Sequence, residues 1–382
     1  MVENVKEMIK KEGILKTLTH AKKLARDYVY DLRKKDEKFS FSDSIEGHEP
    51  TIYVVRKTLP EVWDVITMTL LGIGTDIHTH YDPVDEKGNY TSFPSIEATV
   101  LAHIEEPFSE KRFHKHFLGG WLGFGDYKAE IEGVKDHWVL EPGIVVDFLK
   151  KGKFNEIKDY GSWLYSYSQR FRAYPYLDIE AKPQTINQLQ SVLDNLTKDP
   201  ESRSAQCITW DPRWDHKGQG QMKYKDENGN EKLAIFDDYH APCLQRLWWR
   251  LLPTKEGYSL NLNTDWRSRC HLKAFPQNIF GITEGIMEPM RKDLEEALQT
   301  PIKIGRYVDK SDTLHLYGHY LDPAQQGLDA EAYLQDIFRI AEGQSIEERL
   351  ILPGTPMYDI MQEDINAEYQ KRKANPDFDR TN

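Results

Sequence analysis

Apolar residues recur at helical spacing from the start of the chain. In VKEMIKKEGILKTLTHAKKLARDYVYDL they fall between lysines and arginines, which predicts a basic amphipathic helical arm over residues 1 to about 45. The simplest role for such an arm is to pack on the main domain. LPEVWDVITMTLLGIGT reads as a helix stopped by glycine, and SIEATVLAHIEEPF alternates with the period of a strand. The aromatic stretch from 113 to 175 shows no clear period. QTINQLQSVLDNLTKDP is again helical in pattern and stops at Asp-Pro, after which SAQCITW is a short β-prone run. KYKDENGNEKLAIF holds Asn-Gly between two strand-like runs, a surface hairpin by its turn chemistry. CLQRLWWRLL and YSLNLNTDW are strand-like, a helix is expected over roughly 279 to 298, and a further strand around TLHLYGHY, before a charged tail ending in ANPDFDRTN.

Helices mixed with strands in this order predict an α+β fold, a mixed β-sheet packed by helices. The expected organisation is a helical N-terminal extension (1–60), a main domain (61–350) with insertions at about 105–160 and 212–240, and a charged C-terminal tail (351–382). Composition narrows the partners. Acidic residues outnumber basic ones by 62 to 50, so the surface would repel a nucleic-acid duplex, and any phosphate must meet clustered arginines. Three cysteines without CxxC spacing argue against a disulfide framework and a cysteine-rich zinc module, and fit a reducing cytoplasm. Neither a signal peptide nor a run of 18 apolar residues is present, so no membrane association is expected.

Several short motifs could carry chemistry. Pro242-Cys243 is followed by Arg267-Ser268, then Pro276-Gln277-Asn278, then His315-Leu316-Tyr317. A guanidinium near Cys243 would favour its thiolate and hold a phosphate dianion, two tasks Arg267 could share. Asn278 offers one amide donor and one acceptor, which match the N–H and neighbouring carbonyl of uracil better than cytosine. His315 and Tyr317, two apart in a strand-like segment, would leave one face and could share a sugar hydroxyl. Each residue alone has a plainer reading: an inert buried cysteine, a surface ion pair, a satisfied core histidine, a turn asparagine. Their joint order is what points to a site.

That order resembles the catalytic half of the thymidylate synthase superfamily over about residues 165 to 325. The Arg267 to Asn278 interval matches the family, while the Cys243 to Arg267 interval is four residues longer, absorbed at PTKEGY. LQSVLDNLTKDPESRSAQCITW is similar to the family's helix, Asp-Pro turn and strand, which gives Arg203 the role of reaching the partner subunit's phosphate in a homodimer packed sheet to sheet. The family's second arginine is Ser204 here, and its tyrosine-glycine pair is Tyr167-Ser168. The resemblance implies Cys243, Asn278 and Tyr167 as catalytic residues, Arg267, Ser268, Arg203, Asn278, His315 and Tyr317 as substrate ligands, 5,10-methylenetetrahydrofolate as carbon donor, a dUMP-type substrate, and no metal.

Departures from the family bear on the product. The chain ends in polar DFDRTN where synthases close the site with an apolar terminus, and Leu244 and Cys270 replace a histidine and the aspartate that holds the pterin. These features, with the length, resemble phage deoxyuridylate hydroxymethylases, in which water adds to the exocyclic methylene; thymidylate synthase is the alternative, and cytidylate hydroxymethylase is disfavoured by Asn278. Glu141 or Asp147 could organise the proton-moving waters. A different class is suggested by TDIHTHYD, where His78 and His80, with His114 and His116 downstream, resemble the His-x-His motif of metal-dependent amidohydrolases. A regular succession of eight strand-helix units, which that class requires, is not visible.

Overall fold

The computed structural model describes residues 4–376 apart from 44, 80–81, 118–119, 140–150, 152–164, 178–182, 216–219, 226–227, 237–240 and 327. The chain forms two compact units interleaved in sequence. One comprises Met1–Gly123, Asn261–Phe280 and Ile304–Asp364, the other Phe124–Leu260, Gly281–Lys303 and Ile365–Asn382.

In the first unit the arm is two helices, Val5–Glu12 and Ile14–Lys35. Helical structure stops at Lys35 rather than near 45, because FSF and TIYVVR alternate and become strands β1 (Phe39–Phe41) and β2 (Thr51–Arg56), paired antiparallel. The expected helix Leu59–Ile73 has Pro60 in its first turn, and Glu61 accepts from the Thr58 amide at 2.7 Å. All its residues except Glu61 and Gly72 are buried. The arm lies against it: Ala21, Ala25 and Val29 are fully buried, and a Cβ at Gly72 would stand 2.7 Å from the Arg26 backbone nitrogen.

Strand β4 (Ser95–Ile104) alternates as expected, runs parallel to β2, and pairs antiparallel with β3 (Thr75–Ile77) and β12 (Ile302–Leu316). The strand order in this unit is β1-β2-β4-β12-β11, where β11 is Gly257–Cys270. One parallel pair among antiparallel ones makes the sheet mixed, in agreement with the α+β expectation. TLHLYGHY proves to be only the end of β12, which starts at Ile302 and shifts register between Ser311 and Leu314; Tyr317 lies just past it and opens the 3-10 turn Gly318–Leu321.

In the second unit β5 (Tyr174–Leu177) pairs with β6 (Pro183–Ile186), and β7 (Gln206–Ile208) pairs with β10 (Leu244–Thr254), both antiparallel. Helix Gln188–Lys198, capped by Asn187 through its Gln190 amide, matches the expected helix-turn-strand. The Asn-Gly hairpin is present as β8 (Gly220–Lys225) and β9 (Glu231–Phe236), with Gly229 at positive φ as the turn requires. The helix expected over 279–298 begins earlier, at Ala274, and widens to a π turn over Thr283–Met287. That turn leads into Pro289, which has no N–H to give to an α-helical partner. The segment read as a charged tail contains helix Pro356–Ala374, anchored by buried Met361 and Ile365.

Candidate active site

The sequence-predicted residues divide between the units. Cys243, Tyr167 and Arg203 belong to the second, and Arg267, Ser268, Asn278, His315 and Tyr317 to the first.

Cys243 is half-buried immediately before β10. Tyr167 begins helix Tyr167–Arg172, which Ser166 caps by accepting from the Gln169 amide at 2.9 Å. The Tyr167 phenol oxygen accepts from the backbone N–H of Cys243 at 3.1 Å and of Leu244 at 3.2 Å. Burial raises the Tyr167 pKa well above the ordinary phenol value, so the group stays protonated and acts as a fixed anchor. Thr209 holds the other side of the segment by donating to the Leu244 carbonyl, and the Gln245 side chain donates to that of Pro242 at 2.5 Å. The backbone around Cys243 is thereby pinned on both sides. Burial raises the other two thiols: Cys207 to about 12, while Cys270 is also raised. Both are kept as inert thiols.

Tyr167→Phe removes that acceptor. The expected result is a loss of roughly 1–3 kcal/mol in stability from two amides deprived of it, with a larger fall in kcat than rise in KM. Thermal unfolding and steady-state kinetics check this; unchanged kcat would remove Tyr167 from the machinery.

Arg203 is exposed in the turn after Asp199-Pro200. The turn is held by Trp248 Nε1 donating to the Arg203 carbonyl at 2.9 Å, by Arg250 donating to the Ser202 carbonyl at 3.0 Å, and by Asn195 donating to Ser204 Oγ at 3.1 Å. Ser204 is thus a turn-stabilising residue.

In the first unit Arg267 and Ser268 lie on β11, half-buried, with Ser268 Oγ 3.5 Å from His315 Nδ1. Burial lowers the His315 pKa to about 4, so the ring is neutral, and its Nε2 is buried without a hydrogen-bond partner. His315 and Tyr317 rings meet edge to face at 4.4 Å, so they are neighbours although Tyr317 lies outside the strand. Asn278 is buried on helix Ala274–Ile282. Between these residues in sequence sits Arg269, whose guanidinium pairs with buried Asp309, donates to Ser311 Oγ at 3.2 Å and lies 4.2 Å over the Trp266 ring.

Sequence reasoning missed several polar groups. Glu97 pairs in register with His315, and burial, with Glu49 and Asp82 nearby, pushes its carboxyl up to about 7. Asp82 is buried and accepts from the Thr79 amide at 2.8 Å and from Ser95 Oγ at 3.2 Å. Glu130, on helix Leu122–Ile131, is also raised by burial, with Lys135 Nζ 3.4 Å away. Glu141 and Asp147 lie outside the described residues, as does His80. His78 stacks on Tyr90 at 3.8 Å, and the mixed sheet gives no amidohydrolase-like run of parallel strands among the described residues.

No known family model matches the chain. Over 162 residues it is 30% identical to a Methanocaldococcus jannaschii protein named "Putative thymidylate synthase". The match covers 41% of this chain, which spans 59% of the relative's length. Among the described residues no helix is long and apolar enough to cross a membrane.

Proposed function

We propose that the chain is a folate-dependent one-carbon transferase of the thymidylate synthase kind, acting on dUMP as a deoxyuridylate hydroxymethylase in a homodimer. The observation that carries the reading is the placement of Cys243: a half-buried cysteine, fixed through the backbone by Tyr167, at the head of a strand. The order of polar residues after it supports the same reading.

In this reading the Cys243 thiolate adds to carbon 6 of uracil, which makes carbon 5 nucleophilic toward the methylene of 5,10-methylenetetrahydrofolate. Arg267, Ser268 and the partner's Arg203 hold the phosphate, Asn278 reads the base, and His315 with Tyr317 the sugar. Loss of the carbon 5 proton expels tetrahydrofolate and leaves an exocyclic methylene, water adds to that methylene, and the enolate so formed expels the Cys243 thiolate from carbon 6. The neutral His315 ring can both donate and accept, which suits a sugar hydroxyl. Cys270, a thiol kept neutral by burial, cannot replace the family's pterin-binding carboxylate, so the folate is gripped by other groups.

The relative's name favours a second reading, a thymidylate synthase, in which the folate reduces the methylene. Mass spectrometry after incubation with dUMP and methylenetetrahydrofolate separates them. Hydroxymethyl-dUMP with tetrahydrofolate is the expected result. Production of dTMP with dihydrofolate would replace it by the second reading, and absence of reaction with dUMP and with dCMP would end both.

A further inference from the structure

A second polar cluster lies within the first unit, unconnected with the residues assigned above. His114 and His116 come from the loop before helix Leu122–Ile131, Asp64 from helix Leu59–Ile73, and Asp336 from helix Leu328–Ala341. One ligand atom each from His114, His116 and Asp336 lie within 4.8 Å of one another. His114 Nε2 stands 3.9 Å from Asp336 Oδ2 and 3.5 Å from Asp64 Oδ1. His114 has no exposed side-chain surface, and both its Nε2 and Asp64 Oδ1 are buried with no hydrogen-bond partner.

The outer oxygens are all committed. Asp64 gives Oδ2 to Arg349, and Asp336 gives Oδ1 to Arg339 at 3.3 Å, so each carboxylate keeps one oxygen turned to the histidines. A carboxylate that is hydrogen-bonded outward and free inward is the arrangement that orients metal ligands. Trp63 lies against the His114 ring at 4.8 Å and closes the apolar side.

We propose that His114, His116 and Asp336, with Asp64 as fourth donor, bind a divalent cation of the zinc class. Two imidazoles and two carboxylate oxygens are a donor set for a borderline ion, and four protein ligands leave no open position for chemistry. The ion is therefore structural, tying two helices to the 113–117 loop. His116 keeps 26% of its side chain exposed and provides the entry. His116 Nδ1 faces Asp336 Oδ2 directly. The His116 amide donates to His114 Nδ1 at 3.1 Å, which places the neutral ring's proton on Nε2. Metal binding at Nε2 takes the ring's other tautomer, with the proton moved to Nδ1 and the His116 amide turned away from it.

The test is metal analysis of the full chain produced in zinc-supplemented medium, with thermal unfolding in zinc and in EDTA. Expected are about one zinc per chain, a Tm several degrees higher with zinc than with EDTA, and loss of both in His116→Ala, whose partly exposed side chain makes it the mildest of the four replacements. Cobalt substitution should give the intense visible bands of a four-coordinate site. A folded wild-type protein with no bound metal and no zinc-dependent Tm would overturn the proposal, as would a His116→Ala protein that retains the metal. Should that variant fail to fold, His116→Gln serves instead.

Discussion

Cys243→Ser is expected to lower product formation by at least about 10³-fold while the protein remains folded and still binds nucleotide, because a serine hydroxyl at neutral pH supplies almost none of the anion that a cysteine does. Tyr167 and Thr209 hold this segment through backbone groups, so the exchange of sulfur for oxygen leaves their hydrogen bonds in place. The control is Cys207→Ser. Cys207 is fully buried with its thiol pushed up to about 12, so its replacement should cost stability and leave kcat nearly unchanged. Rapid-quench measurement of product on both variants decides the matter. A Cys243→Ser protein with a tenth or more of the original rate would exclude nucleophilic catalysis by this residue, and with it every member of the proposed class.

What could be read from the sequence follows from where single-chain patterns are strong. Strand β4 was legible because its apolar positions keep one period from end to end, and helix Leu59–Ile73 because an apolar run too long for a strand is stopped by Gly74. The Asn-Gly hairpin was legible because its turn needs positive φ. The stretch of β12 before Thr313 was not. Its buried positions include Asp309 and Ser311, which are inside only because Arg269 comes from another strand to meet them, and a hydrophobicity pattern registers such residues as exposed. Helix Pro356–Ala374 was hidden for a similar reason, since few of its nineteen residues are buried.

The candidate site was legible as an ordered set of residue types, and not as geometry. Nothing in the sequence says that the Tyr167 hydroxyl serves the Cys243 amide, 76 residues away, or that Glu97 stands beside His315. The second cluster shows the limit more sharply. His114 and His116 are visible as a pair, but Asp64 and Asp336 lie 50 residues before and 220 after them, and only the packing of two helices brings the four together.

The buried pair of Arg269 and Asp309 gives the largest expected effect on stability. Both side chains are 1% exposed, and Asp309 also accepts from Thr264 Oγ1 at 2.9 Å. Arg269→Met keeps the contact with Trp266 and Phe275 in part but leaves a carboxylate in the core with neutral partners only, a change that typically costs about 3–5 kcal/mol. A drop in Tm of several degrees is expected. Replacing both members, as Arg269→Met with Asp309→Leu, should recover most of that loss, because the desolvation of two charges is no longer required. The same cycle reports on the site, since Arg269 lies between Ser268 and Cys270. If the pair only supports the core, the double variant regains stability and its KM for nucleotide together. If its charge also sets the position of Arg267 and Ser268 on β11, stability returns while KM stays high. A single variant as stable as the parent protein would show that the carboxylate is solvated, contrary to its burial.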